Sequence, residues 1–394
     1  MPDETAQEAI QIEPQIDAET PPPASDEPTS SQEEARRRER QRVFAQCERF
    51  LGGHSPRKPA QVLAEIAAEA GEDDPDVYGQ GDLIERFERE IADLLGKEAA
   101  VFLPSGTMAQ QIALRVWSER KGSATFACHP TCHLELHEEK GYQRLHGLHA
   151  RLTGRPTELL TMDDLCAVKE PISALLLELP QREIGGLLPE WEDLVAQTRW
   201  ARERGAAAHM DGARLWEAAP YYGRSYAEIA TLFDTVYVSF YKGVGAIAGA
   251  ALAGPAEIIA EARVWQVRHG GRLVHLYPYV LAARAGLRRE LERFSGYHER
   301  AVRIAAALAS APGVILRPNP PQTHMMHVYL KGNREKLLAA SEELARTERV
   351  CLFRNLFPTE IPGYSKFELS IYDAAEALTD DEIAGYFRRV VEQG

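Results

Sequence analysis

Two charged residues stand where apolar runs end. The run AAHMD closes on Asp211, and a second run over residues 235–240 leads into Lys242. In an open parallel sheet, function gathers where strands end and loops begin. A lysine partly desolvated in such a place has a lowered ammonium pKa, and its free amine can form a Schiff base with an aldehyde. An aspartate beside it can hold a protonated pyridine nitrogen. A pyridinium is an electron sink, and pyridoxal phosphate needs both partners. The separation (242 − 211 = 31 residues) leaves room for one strand-to-strand crossover. Alone, Asp211 reads equally as a helix cap and Lys242 as a surface charge. Each at a strand end, the pair points to a cofactor site.

Three further stretches carry candidates. In PSGTMAQQ, Ser105, Gly106 and Thr107 turn from a strand (99–103) into a helix. Hydroxyls and backbone amides at a helix N-terminus form an anion site, although an ordinary N-cap uses the same residues. In ATFACHPTCHLELHEE, Cys128, His129, Cys132, His133 and His137 are crowded. Zinc is one reading, because ligands four apart meet on a helix face. The pattern is not HExxH, and no second Cys or His cluster completes a ligand set. The competing reading uses His133 alone, at the strand-to-helix edge of the crevice, and a structural histidine is the third. Tyr78 lies in a glycine-flanked loop, DVYGQGD.

The elements that must position these residues can be read along the chain. It has 394 residues, enough for a large core and more than one domain. The net charge of −14 argues against binding nucleic acid or an anionic membrane. No apolar run approaches the roughly 20 residues of a membrane span, and the acidic N-terminus does not read as a secretory signal. Five cysteines, few and odd in number, suggest a reduced, cytoplasmic protein. Residues 1–32 are rich in Glu, Pro, Ser and Thr and read as a disordered tail. Helices are expected from Glu33 onward and over 59–70, 82–95, 191–203, 257–267, 277–294, 297–310, 335–347 and 380–393. Strands are expected over 99–103, 123–128, 174–179, 324–330 and 367–371, besides the two opening runs. The chain then divides into the tail, an N-terminal segment (33–75) packing on the small domain, a large cofactor domain (76–290) and a small α+β domain (291–394).

HMDGARLWEAA and VSFYKGVGAIAGAALAG, with DVYG, LLGKEA and PSGTMA upstream, resemble the threonine aldolase and beta-eliminating lyase family. The likeness covers residues 75–260 well and the rest weakly. It implies the aspartate-aminotransferase fold, a type I pyridoxal-phosphate architecture with a mostly parallel seven-stranded sheet and a smaller α+β domain. It places the ring-nitrogen acid at Asp211, an arginine near the cofactor at Arg214 and the Schiff-base lysine at Lys242. It assigns the phosphate to Ser105, Gly106 and Thr107. It also places at His133 the histidine that stacks on the pyridine ring, with Glu138 at the family's spacing. Tyr78 would lie near the active site at a subunit contact. A homodimer or homotetramer with shared sites is implied.

The resemblance also has gaps. After Glu178, residues 179–182 depart from the family pattern, although Gly185 and Gly186 fit. The C-terminal strand of the family carries an arginine for the substrate carboxylate. Here SKFELSIYD puts Phe367 near that place and Lys366 beside it. Lysine is a poorer bidentate partner than arginine. Lys366, Arg354 or Arg182 is therefore a substitute, and Ser55 is the N-terminal serine available for the same carboxylate. The expected function is a pyridoxal-phosphate lyase acting on a small amino acid. The preferred reaction is cleavage of the Cα–Cβ bond of L-threonine or a related β-hydroxy amino acid to glycine and an aldehyde. His133 is the base. A β-elimination, a transamination or a non-catalytic relative is the alternative.

Overall fold

The structure, a computed structural model, describes residues 30–394, with side chains from residue 38. The tail expected over 1–32 lies outside the described residues up to 29, and Ser30 already begins a helix, Ser30–Ala45. Residues up to Arg42 form one unit and Val43–Gly394 another. The site and both large sheets belong to the second.

Its central sheet has seven strands: β1 (Ala99–Leu103), β2 (Thr125–Cys128), β3 (His149–Leu152), β4 (Ala174–Glu178), β5 (Ala207–Gly212), β6 (Thr235–Ser239) and β7 (Ala250–Gly254). Their order is β1-β7-β6-β5-β4-β2-β3. β7 is antiparallel to both neighbours and every other pair is parallel, so β1 to β6 all point one way. The inner strands ALLLE, AAHMDG, TVYVS and AALAG are apolar almost throughout because helices cover both faces. Leu175 lies in the core on one face, with Phe87, Met210, Trp216 and Phe240. Its neighbour Leu176 lies in the core on the other, with Ile112, Phe126 and Leu252. This is the two-residue alternation of a strand.

Two strands of this sheet were not foreseen. β7 hides in a glycine- and alanine-rich run, and small side chains are what its place demands. A Cβ on Gly249, at φ +105°, would lie 2.4 Å from the Phe102 ring. β3 is a mostly exposed edge strand, HARL, with no apolar pattern to betray it. The two helices expected over 277–294 and 297–310 are Tyr277–Glu290 and Phe294–Ala309, with the break a few residues earlier, at the tight turn Leu291–Arg293. Phe294 and Tyr297 still pack in the large core.

A second, antiparallel sheet contains β8 (Val314–Arg317), β9 (Met325–Lys331), β10 (Phe357–Pro358) and β11 (Tyr364–Ser370), in the order β10-β11-β9-β8. The N-terminal segment joins this region. Arg49–Phe50 pairs with Val350–Cys351, and Gly53 bridges Ile371. The helix Pro59–Ala70 then packs along Tyr277–Glu290, where Arg284 Nε donates to Glu69 at 2.5 Å.

Because β1 to β6 are co-directional, their C-terminal ends share one edge. Ser105 follows β1, His133 follows β2, Glu178 ends β4, Asp211 lies at the end of β5 and Lys242 follows β6. The aromatic cluster beneath this edge holds it in place. Phe87, 1% exposed, meets the rings of Phe102 and Phe240 edge-on at 5.9 and 5.4 Å. Phe87→Ala should therefore cost about 3–5 kcal/mol, read as a lowered midpoint in denaturant unfolding.

Candidate active site

Strand register sets Glu178 beside Asp211 and Asp211 beside Tyr237. Asp211 is 2% exposed, and the Ala213 N–H donates to its Oδ1 at 3.1 Å. Burial pushes the Asp211 carboxyl pKa up, while the charges of Lys242 and His133 hold it down. Burial and the nearby Arg214 guanidinium push the Lys242 ammonium pKa below its usual range, against the pull of Asp211 and Glu178. The two residues paired by spacing in the sequence thus lie in one electrostatic cluster. Glu178, half-buried at the end of its strand beside Asp211, is pushed up to about 8 by desolvation and by the Asp211 charge.

His133 opens the short helix His133–Leu136. Its Nδ1 lies 2.9 Å from Oε1 of Glu138, whose side chain is buried. With Nδ1 donating to that carboxylate, a neutral His133 keeps Nε2 as an acceptor, the state a base needs. The other residues of the Cys/His cluster go to separate partners. His129 turns to Thr131 and to the carbonyls of Arg155 and Glu158, and His137 pairs with Glu183 at 2.8 Å. Cys128 and Cys132 are buried thiols, and Cys132 is pushed well above its ordinary pKa by its neighbour Cys128 and by burial.

Ser105 caps the helix Gly106–Lys121, its Oγ accepting from Met108 N–H at 3.3 Å. Gly106 N–H donates to the Tyr241 hydroxyl at 3.2 Å, and Thr107 stands in the first turn. A Cβ on Gly106 would lie 1.8 Å from the Tyr237 hydroxyl, so the close approach of this helix start to β6 requires glycine.

Arg214 is largely buried, with Glu368, Tyr372, Glu217 and Glu178 as its charged or polar surroundings. Its guanidinium makes no side-chain hydrogen bond among the described residues, so its donors are uncommitted. Arg182 is committed. It pairs with Glu368 at 2.7 Å through Nε and with Glu183 at 3.0 Å through Nη1. Lys366 shares its strand face with Glu368 but lies over the Tyr329 ring, 5.9 Å from its centroid. Phe367 points the other way and stacks between Phe353 and Phe387. Ser55 is exposed, with its N–H on Asp373 at 3.2 Å. Arg354 lies at the rim of the small sheet over the Phe50 ring. Tyr78 is exposed in a left-handed turn (φ +51°), its carbonyl accepting from Arg272.

Two contributors, Glu368 and Glu217, went unnoticed in the sequence. Glu368 faces Arg182 and Arg214. Glu217 is 1% exposed, and its Oε1 accepts from the Tyr372 hydroxyl at 2.8 Å. A Cβ on Gly243 would lie 2.0 Å from that same oxygen, so Glu217 sits directly against the backbone after Lys242. The available signal for Glu217 was its place as the one acid in the apolar helix LWEAAPYY.

Residues 56–331 match the sequence model of the family described as beta-eliminating lyase. The chain belongs to the beta-eliminating lyase family. Its relatives include the low-specificity L-threonine aldolase 1 of Arabidopsis thaliana, 29% identical over 73% of this chain and 83% of that protein. Escherichia coli K12 has a low-specificity L-threonine aldolase 29% identical over 69% of this chain and 81% of its own. A Listeria monocytogenes crystal structure, provisionally named an L-allo-threonine aldolase, is 39% identical with a TM-score of 0.87, covering 91% of this chain and 99% of its own. A serine palmitoyltransferase from Sphingomonas wittichii, 16% identical at a TM-score of 0.63, shares the fold.

The architecture is thus the type I fold of pyridoxal-phosphate enzymes, and the chain is a lyase dependent on that cofactor. The donor set fits the group. A depressed amine, a buried acid and a helix N-terminus occupy one edge of the sheet, and Gly106 lets that N-terminus approach β6 where any other residue would clash with Tyr237.

The raised Glu178 pKa makes a stability prediction. An acid whose folded pKa lies above its unfolded value destabilises the fold progressively between the two, here from its ordinary value of 4.5 to about 8. Glu178→Gln removes that ionisation, so the cofactor-free variant should lose less stability than wild type across this window, measured by chemical unfolding at several pH values.

Proposed function

We propose that this chain is a pyridoxal-phosphate-dependent aldolase that cleaves the Cα–Cβ bond of L-threonine or a related β-hydroxy-α-amino acid, releasing glycine and an aldehyde. The observation that carries the reading is the electrostatic cluster of Lys242, Asp211 and His133 at one sheet edge in a chain of this family. The threonine aldolases among its relatives supply the substrate class. In this reading the cofactor, once bound, supplies an electron sink for the charge left on Cα.

The chain's own residues do the rest. Lys242 holds the cofactor aldehyde carbon with an amine that burial keeps unprotonated more readily than usual. Asp211 keeps a proton on the ring nitrogen, since its carboxylate finds compensation only in cations and donors. Ser105, Gly106 and Thr107 receive the phosphate at the start of their helix. Arg214 offers its uncommitted donors to the substrate carboxylate, a planar fork suited to a bidentate partner. His133, oriented by Glu138, takes the substrate hydroxyl proton on Nε2. Arg182 positions the wall of the pocket through Glu368, while Lys366 and Ser55 lie at its margin.

In this reading the large domain (76–290) holds the cofactor, and Glu368 and Tyr372 of the small domain (291–394) reach Arg214 and Glu217 beside it. Val264, Val267 and Val274 are exposed near Tyr78 and suit an interface between copies, as in a homodimer or homotetramer that shares its sites. All five cysteines are free and no helix described is long and apolar enough to cross a membrane, which fits a cytoplasmic enzyme.

One observation favours a second reaction. The strand that would carry a carboxylate-binding arginine presents Glu368 instead, so a β-elimination or transamination on another amino acid is the alternative. Two measurements decide between them. Wild type should show the bound-cofactor absorption band at roughly 410–430 nm, and Lys242→Ala should lose it. L-threonine should then yield glycine and acetaldehyde in equal amounts. Pyruvate or amino-group transfer in their place supports the alternative, and no band after incubation with excess cofactor refutes both.

A further inference from the structure

The backbone that follows Lys242 is held by cations. The carbonyl of Gly243 meets His54 Nε2 at 2.8 Å. The carbonyl of Val244 accepts from Arg289 at 3.3 Å, and that of Gly245 from Arg57 at 2.7 Å. A Cβ on Gly245 would touch all three cationic side chains, at 3.4, 3.4 and 3.6 Å. Arg57 and Arg289 are balanced by Glu65, and Arg289 also by Glu290. His54 differs because its one ring faces two acceptors.

Its other nitrogen, Nδ1, lies 2.6 Å from Oδ1 of Asp373. A carboxylate and a carbonyl are both acceptors, so satisfying both contacts requires an N–H on each ring nitrogen. The folded arrangement therefore calls for the imidazolium. The Asp373 carboxyl is partly buried yet sits below its usual range, through hydrogen bonds from Ser55 and His54. The ring also stacks on Tyr372 at 4.3 Å and meets Tyr297 edge-on at 6.4 Å. His324 lies beyond Tyr372, and Glu217 lies beneath Gly243. These groups, with Arg57 and Arg289, make up the ionisable surroundings of His54.

We propose that His54, held as an imidazolium by Asp373, is a positioning residue for Lys242, which it fixes by gripping the next carbonyl in the chain. This rests on the reading of Lys242 as the cofactor lysine. His54 belongs to the segment that pairs with the small sheet region, and Asp373 follows β11, so the clamp ties Lys242 to elements outside the central sheet. A neutral His54 has one N–H for two acceptors. Losing that second N–H would free one of the two contacts and remove a positive charge from beside Lys242.

The test is the pH titration of the bound-cofactor absorption band in the holoenzyme. A nearby cation disfavours the protonated form of the Lys242–cofactor nitrogen, so removing it raises the apparent pKa of the band. His54→Gln and His54→Asn should each raise it by roughly half a unit or more, and His54→Lys, which keeps a cation within reach of Gly243, should restore the wild-type value. A merely structural histidine would lower the thermal midpoint and leave the titration unmoved. A wild-type titration in His54→Gln and His54→Asn, with the band intact, overturns the proposal and spares the cofactor reading. No band in wild type overturns both. Should His54→Gln fail to fold, His54→Asn carries the same comparison.

Discussion

Glu178, Asp211 and Glu217 bring three carboxyl groups to the apolar edge of the large sheet, together with the ammonium of Lys242 and the guanidinium of Arg214. Taking such groups out of water costs several kcal/mol per ion in proteins unless charge or hydrogen bonds compensate it. The cluster resolves this unevenly. Glu178 and Glu217 are pushed toward their neutral forms, and Lys242 toward its free amine. The unbalanced state is a chemical asset. A free amine is nucleophilic, and a carboxylate with few partners binds a protonated ring nitrogen more strongly than a well-solvated one would. Much of the remaining architecture holds this expensive arrangement together.

Close backbone approach is the means. Gly106 clears the Tyr237 hydroxyl, Gly243 clears Glu217 and Gly249 clears the Phe102 ring. Each glycine lets a loop bearing a site group press against a strand or helix that a methyl group would hold away. The loop 242–245 then has its carbonyls occupied by His54, Arg289 and Arg57, and the Gly245 N–H returns to the Lys242 carbonyl at 2.9 Å. A lysine on an ordinary exposed loop would sample many rotamers. One anchored at four consecutive positions presents its amine in a narrow range, which is what Schiff-base chemistry and proton control both reward.

The sequence disclosed the parts of this whose signals are local. β1, β4, β5 and β6 announced themselves as short apolar runs, and Asp211 and Lys242 stood out because charge at the end of such a run is unusual. His133 and Glu138 were separated by a spacing that the structure turns into a 2.9 Å contact. Other features depended on distant pairing. β7 is too small in side chain to be recognised until Phe102 beneath it is known, and β3 lacks a buried face. His54 and Asp373 are 319 residues apart, so nothing in either neighbourhood announces their contact. Ser55 drew attention for its hydroxyl, but the adjacent histidine is the residue that reaches the Lys242 loop.

Glu368 shows how a change of charge on one strand is absorbed elsewhere. Along β11, Phe367 and Leu369 fill the small core while Lys366 and Glu368 face outward, so the strand's alternation fixes which residue can face the site. That residue is an acid. Left alone beside Arg214, it would compete with any carboxylate ligand for that guanidinium. Arg182 answers it at 2.7 Å, from the loop where the chain departs from the family pattern, whereas Arg214 stays 3.8 Å away. Arg182 is shared with Glu183 as well, and Arg214 keeps its donors uncommitted. The strand and the loop therefore answer each other: Arg182 meets the charge of Glu368, and that leaves the Arg214 fork without a hydrogen-bonded carboxylate of the chain's own.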